Sequence, residues 1–329
     1  MASPGQSTLF NTFTELVATT FRNHKPEISD NVSNHNALYR YMIKSGRKRT
    51  EDGGLSITMP LEYAENGTVQ RYSGYDPLNV QAADVISAAE FPWRQMAGNL
   101  AASGIEIRSN QGENRIINLA KSKLKNLQRS LANTLSTDFY SDGTTSNQMN
   151  GLQALIADAG TGTVGGINSS TFSFWANTVQ SAASPLQGGA GITPSATTIE
   201  SLMLPLWLRV TRGADMPTFI VASEDYFTFF EQSQPSLKRY APDDDGAGGM
   251  VALRYKNAPV FHDASASGIP SAHMYFVNVN YLEYVVHADA DLEIMPELRS
   301  INQDAVVIPV INQANLAVSN RKLQGVLKA

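Results

Sequence analysis

Cysteine is absent from the 329 residues. That one absence excludes disulfides, thiolate-ligated zinc, iron–sulfur clusters and thiol nucleophiles together. Charge is also scarce: 17% of residues are charged and the formal net charge is −5, so there is no overall basic excess with which to neutralise a polyanion. No stretch approaches the roughly 18 consecutive apolar residues that a bilayer span needs. Leu9 to Phe21 mixes apolar residues with Thr, Asn and Glu and leads to no small-residue cleavage site, which argues against a secretory signal. The expectation is a protein made in a reducing cytoplasm, where the sequons at Asn31, Asn66 and Asn168 carry nothing.

Catalytic patterns are lacking as well. His24, His35, His262, His273 and His287 show no metal-ligand spacing, and His262-Asp263 is a neighbour pair without a nucleophile. Neither a G-x-S-x-G elbow nor a phosphate-binding P-loop occurs. Gly160-Thr-Gly162-Thr-Val-Gly165 has the letters of a dinucleotide fingerprint, yet Asn168, Ser169 and Ser170 continue a loop where a helix should open, and no acid lies between Asp158 and Glu200. Asp243, Asp244 and Asp245 before Gly246 hint at calcium, but an EF-hand alternates its acids and closes with Glu, where Arg254 stands here. A solvated loop tip is the simpler account, and no catalytic residue, metal or cofactor is expected.

What is present is a large apolar fraction, 42% of residues, in a chain near the length at which one core divides into two domains. Residues 1–50 read as an arm, with Phe10, Phe13, Leu16, Val17 and Phe21 at helical spacing before Pro26. It ends in the cations Lys44, Arg47, Lys48 and Arg49, either a solvated hinge or a contact for an acidic neighbour or DNA. Leu55, Ile57, Met59, Leu61 and Tyr63 then alternate with Ser56, Thr58, Pro60 and Glu62, the pattern of a strand with one apolar face. Asn66-Gly67 supplies a tight turn, and Thr68 to Tyr75 is predicted to return as the second strand of a hairpin. The apolar face needs a cover, and the chain's own body and a neighbouring subunit are both open to it.

From Glu113 to Tyr140 the chain has neither Gly nor Pro, and Ile116, Ala120, Leu124, Leu127, Leu131, Leu135 and Phe139 form one stripe. The prediction is a helix about 40 Å long at 1.5 Å per residue, ended by Asp142-Gly143. Lys121, Lys123, Lys125 and Arg129 decorate it, as a wet face or as a surface toward DNA. A Gly- and Ser-rich excursion fills 160–195, followed by a helix carrying Ile199, Leu202, Met203, Leu206, Trp207 and Val210, with Pro194 in its first turn and a kink at Pro205. A strand Thr218–Ala222 leads to a helix capped by Ser223. Strands are then predicted at 250–255, 259–262, 274–278, 281–287, 305–311 and 316–319, with Asn312 to Asn315 breaking the last two apart. The class is α+β.

This order of elements resembles the Hong Kong 97 fold of tailed-bacteriophage major capsid proteins. The likeness is carried by Ser103-Gly104-x-Glu106 with Asn110, Asp142-Gly143, Gly151-Leu152 with Leu155-Ile156, Gly165-Gly166-Ile167 and Trp175. Tyr255-Lys256-Asn257-Ala258-Pro259-Val260 with Asp263, and Asn315-Leu316 with Asn320-Arg321-Lys322-Leu323-Gln324-Gly325, extend it from about residue 50 to the end. The resemblance implies an N-terminal arm (1–50), an extended β-hairpin loop (51–80), a peripheral domain (81–150) with spine helix 113–140, an axial α/β domain (151–275), and closing strands (276–329) returning to the peripheral domain. It implies a structural protein that assembles with itself into pentamers and hexamers of an icosahedral head around double-stranded DNA.

Further implications follow from the same likeness. Leu55, Ile57, Met59, Leu61, Tyr63, Tyr72, Phe10, Phe13, Leu16 and Phe21 would be inter-subunit contacts. Lys121, Lys123, Lys125 and Arg129 would face non-specifically held DNA, and Asp243, Asp244 and Asp245 would form a loop near the capsomer axis. The partners would be further copies, a separate scaffolding protein and a portal, without a membrane, and the protein would reside in a virion assembled in the bacterial cytoplasm. Residues 51–80 contain no lysine, so no Lys-Asn cross-link is expected from this loop. The alternatives are a nanocompartment shell of the same fold and, from another class, a soluble hydrolase with a cryptic site.

Overall fold

A computed structural model describes residues 36–81, 84–109, 113–234, 253–264, 267–299 and 304–329, with side chains except at 107–109, 113–121 and 299. The arm residues Phe10, Phe13, Leu16 and Phe21, the loop Asp243, Asp244 and Asp245, and the side chain of Lys121 lie outside the described residues.

The described chain opens with helix α1, Ala37–Lys44, whose N-cap Asn36 accepts from Tyr39 N–H at 2.8 Å and which buries Leu38, Tyr39 and Met42 on one face. Strands β1 (Lys48–Glu51), β2 (Ser56–Glu62), β3 (Ile86–Pro92) and β4 (Arg94–Ser103) follow, then the short helix α2 (Gly104–Ser109). The long helix α3 spans Glu113–Asp138, two residues short of the predicted end, because Phe139 and Tyr140 turn inward and are fully buried. Gly98 of β4 lets this helix lie close: a Cβ there would stand 2.6 Å from Leu127 Cδ1.

Next come α4 (Leu152–Leu155), the two-residue strands β5 (Thr163–Val164) and β6 (Ile167–Asn168), β7 (Thr178–Ser181), helix α5 (Ile199–Val210), β8 (Phe219–Ala222) and helix α6 (Glu224–Ser233). Pro194 is not in the first turn of α5, which opens at Ile199, whereas Pro205 does lie inside it. Ser223 sits at the N-cap of α6, but its hydroxyl accepts from His273 N–H at 3.2 Å instead of from the helix, tying α6 to the neighbouring strand. The chain closes with β9 (Leu253–Tyr255), β10 (Ala258–His262), β11 (His273–Val277), β12 (Leu282–His287), β13 (Glu293–Ile294), β14 (Leu298–Arg299), β15 (Ala305–Val318) and β16 (Gly325–Lys328).

Asn312 to Asn315 do not interrupt β15, which runs unbroken for 14 residues. The reason is that the polar side chains find partners: Asn312 donates to Tyr284 Oη at 3.4 Å, and Asn315 donates to Pro92 O at 2.8 Å and accepts from Asn150 N–H at 2.8 Å. This strand is the axis of one sheet, pairing with β4, β12, β13 and β14, while β1 adds in parallel to β12. The second sheet has the order β7-β16-β11-β8-β10-β9. The C-terminal strand β16 therefore joins this second sheet and does not return with β12 to β15.

Period-two alternation divides the second sheet into two faces. Ile220, Ala222, Met274, Phe276 and Leu327 pack under α5 and α6, with Leu202, Leu206, Trp207 and Phe230. Phe219, Val221, Tyr275, Val277 and Val326 point the other way into a core shared with α1, the end of α3, β12 and β15.

Candidate assembly surface

The alternating segment forms β2, and its side chains face where period two places them: Ile57, Met59 and Leu61 on one side, Thr58, Pro60 and Glu62 on the other. Its partner is not Thr68–Tyr75. Asn66-Gly67 does turn, with Thr68 N–H donating to Asn66 Oδ1 at 3.0 Å, but β2 pairs antiparallel with β3, from Ser56 opposite Pro92 to Glu62 opposite Ile86. The register explains the choice: Phe91 and Ala89 stand opposite Ile57 and Met59 and extend their apolar face, whereas Thr68–Tyr75 has no matching face. The return strand thus lies beyond residue 80, and the ladder continues to a Tyr63 N–H to Val85 O bond of 3.0 Å.

Of the two covers open to this apolar face, the chain's own body takes it, and the inter-subunit role implied for Ile57, Met59 and Leu61 is corrected. Ile57 is 0% and Leu61 8% exposed in the single chain, and with Met59 they belong to its own core, so these three have almost no area left to offer a neighbour. Strand β15 packs on both strands, and the Gly-rich excursion covers the β3 side of the same face. Gly165 and Gly166, with φ of +58° and +77°, form the turn between β5 and β6, which fits a two-residue hairpin that requires positive φ at both centres. The turn docks on β3: Glu90 N–H donates to Gly165 O at 3.0 Å, and a Cβ on Gly165 would meet Ala89 Cβ at 2.9 Å. The G-x-G-x-x-G letters are therefore those of a docking hairpin. Tyr63 lies against Phe174, ring centroids 5.9 Å apart, and Trp93 Nε1 donates to Gly54 O at 3.0 Å.

Beyond this root the chain changes character. Val69, Tyr72, Tyr75, Leu78 and Val80 are all exposed large apolar residues, as are Leu55, 98% exposed, just before β2, and Ile86 at the outer end of β3. Between Tyr63 and Val85 the described residues form no strand or helix.

The cations divide likewise. Lys123 Nζ binds Glu106 at 2.7 Å and Ala101 O at 2.9 Å, so this member of the proposed DNA-facing set is engaged within the chain. The bond from Lys123 holds the Glu106 carboxyl below its ordinary range. Lys125 and Arg129 are exposed. In the hinge, Arg49 pairs with Glu283 of β12 at 2.9 Å and with Glu51 at 2.7 Å, while Lys48 pairs with Asp291 at 2.8 Å and Arg47 bonds Asn280 on either side of β12, so these cations are engaged within the chain.

Two buried polar groups had no signal in the sequence beyond their place in the resemblance. Asp263, 4% exposed, accepts from Ala37 N–H at 3.0 Å and from the Tyr140 hydroxyl, joining α1, the end of α3 and β10. Burial pushes its carboxyl up to about 7 and raises the Tyr140 hydroxyl well above its usual value. Arg321, 0% exposed, donates to Leu155 O at 2.7 Å, Trp175 O at 3.0 Å and Asn177 Oδ1 at 2.9 Å, and burial lowers its guanidinium to about 10. Among the described residues no group of three or more His, Asp or Glu could hold a metal ion, and no helix is long and apolar enough to cross a membrane.

The sequence matches no family model and no curated protein. Solved structures do match. The capsid asymmetric unit of cyanophage A-1(L) aligns with a TM-score of 0.66 and 16% identity, over 86% of this chain and 90% of that one. Mycobacterium phage Bobi gives 0.52 and 10% over 86% and 89%, and the capsid of Myoviridae phage XM1 gives 0.50 and 12% over 88% and 91%. At such identities the likeness is one of architecture, and the architecture of this chain is the Hong Kong 97 fold of tailed-phage capsid proteins.

Proposed function

We propose that this chain is a major capsid protein, a non-enzymatic subunit that assembles with copies of itself into pentamers and hexamers of an icosahedral phage head around double-stranded DNA. The observation that carries the reading is the loop beyond Tyr63, which exposes Val69, Tyr72, Tyr75, Leu78 and Val80 while the body behind it buries a core of its own. Burying five such side chains against another copy is worth roughly 7 to 15 kcal/mol gross, at ~1.5 to 3 kcal/mol each. A long irregular loop of this composition on a well-packed body is explained by a partner, and closed symmetry multiplies each contact. The apolar arm residues Phe10, Phe13, Leu16 and Phe21 belong to the same adhesive set.

Lys125 and Arg129, with Lys121 of the same set, would meet packaged DNA in a local, salt-sensitive contact. A portal and a scaffolding protein complete the partners, in a virion assembled in the bacterial cytoplasm. No specific observation favours the nanocompartment or the hydrolase alternative. Sedimentation and electron microscopy of the purified protein test the proposal: capsomers or shells are expected, and a stable monomer or small dimer at assembly concentrations overturns it.

A further inference from the structure

We propose that the Gly165-Gly166 turn is a positioning clip that sets the direction in which the extended loop leaves the body, and that shell geometry depends on this intramolecular contact. The inference rests on the interfacial reading of the loop but concerns a different part of the chain. The sheet of β2 and β3 has only two strands, so its angle to the body is set from outside its own ladder, by β15, which packs on both strands, by the run of β3 through Trp93 into β4, and by the turn. The turn supplies the constraint on the side of β3 away from β2, where Glu90 N–H finds Gly165 O at 3.0 Å. Its seat is tight: a Cβ on Gly165 would lie 2.9 Å from Ala89 Cβ and 3.0 Å from Phe91 Cζ, and both of those side chains are fully buried.

The turn is itself anchored. Trp175 Nε1 donates to Val164 O at 2.9 Å, and Arg321 holds Trp175 O at 3.0 Å while holding Leu155 O at 2.7 Å. Trp175, held by its carbonyl to the buried guanidinium and donating its indole N–H to the turn, thus links Arg321 to the root of the loop. At the end of β3 Asn315 Nδ2 holds Pro92 O at 2.8 Å, and Tyr63, just past β2, lies against Phe174. Displacing the turn moves β3, and a small change of angle at the root is multiplied along the loop.

Neighbouring glycines provide the test. Gly166 has φ +77° but nothing within 4 Å of a Cβ, so Gly166→Ala strains the turn without touching β3, whereas Gly165→Ala does both. In full-length protein, Gly165→Ala is expected to speed exchange of the Glu90 amide by at least about tenfold over Gly166→Ala, as local opening of a protected amide does. It is also expected to give aberrant or unclosed shells from subunits whose melting temperature matches that of Gly166→Ala. Phe174→Ala, which leaves the backbone alone, carries the same expectation for shells and decides the matter if Gly165→Ala does not fold. Native Glu90 protection in Gly165→Ala, or lost protection with shells of wild-type diameter, overturns the proposal. Should loop variants at Tyr72 and Tyr75 assemble normally, it is the interfacial reading that fails.

Discussion

The root and the outer part of the extended loop are both rich in apolar side chains, yet they are used differently. At the root, Ile57, Met59, Leu61, Ala89 and Phe91 are buried in the core of the same chain. Farther out, Val69, Tyr72, Tyr75, Leu78 and Val80 remain exposed. Apolar alternation alone therefore does not mark an interface. The root spends its apolar surface on folding, and only what the fold leaves uncovered is available for association.

The largest effect is expected from a substitution at the root. Phe91→Ala empties a fully buried site and is expected to cost the subunit about 3 to 5 kcal/mol. Urea denaturation of the unassembled subunit checks it, and a loss below about 1 kcal/mol would place Phe91 outside the core. Acidic replacements at Ile57 or Leu61 would abolish shells by unfolding the subunit, and so report nothing about contacts between copies.

Asp263 sharpens the comparison from the body side, with an effect that depends on pH. Its folded carboxyl is raised to about 7 from an ordinary 3.8, so its contribution to stability is full below pH 3.8 and is lost as pH rises through 7. Linkage over that shift predicts that the wild type loses about 2 to 3 kcal/mol relative to Asp263→Asn between pH 5 and pH 8. Denaturation of both proteins at the two pH values measures this difference, and an equal dependence in the two would refute the assignment. The smallest effect is expected at Lys125 and Arg129: replacing both with Glu should change subunit stability by less than about 0.5 kcal/mol while making DNA release from filled heads less sensitive to salt.

Much of this architecture was legible in the residues. The helix at 113 to 138 and the strand at 56 to 62 announce themselves because a single periodicity persists over many residues and each buries one face. Strand β3 was not, because Asn66-Gly67 offered a nearer turn and the choice between returns is made by side-chain complementarity across the ladder. Asn312 and Asn315 look like a break until Tyr284, Pro92 and Asn150 arrive from distant parts of the chain to bond them. The same holds for Asp263 and Arg321, whose burial depends wholly on tertiary partners, and for Lys123, whose partner Glu106 lies on another element. The candidate surface was legible only in outline: Leu55 and Tyr72 are exposed, while Ile57, Met59 and Leu61 answer to the core.

The central claim is that the exposed part of the loop joins copies without contributing to the fold. The direct test is the double variant Tyr72→Asp, Tyr75→Asp, followed by denaturation of the subunit and electron microscopy of the assembly. Stability within about 0.5 kcal/mol of wild type together with absent or broken shells is the predicted result, and intact shells in normal yield would contradict it.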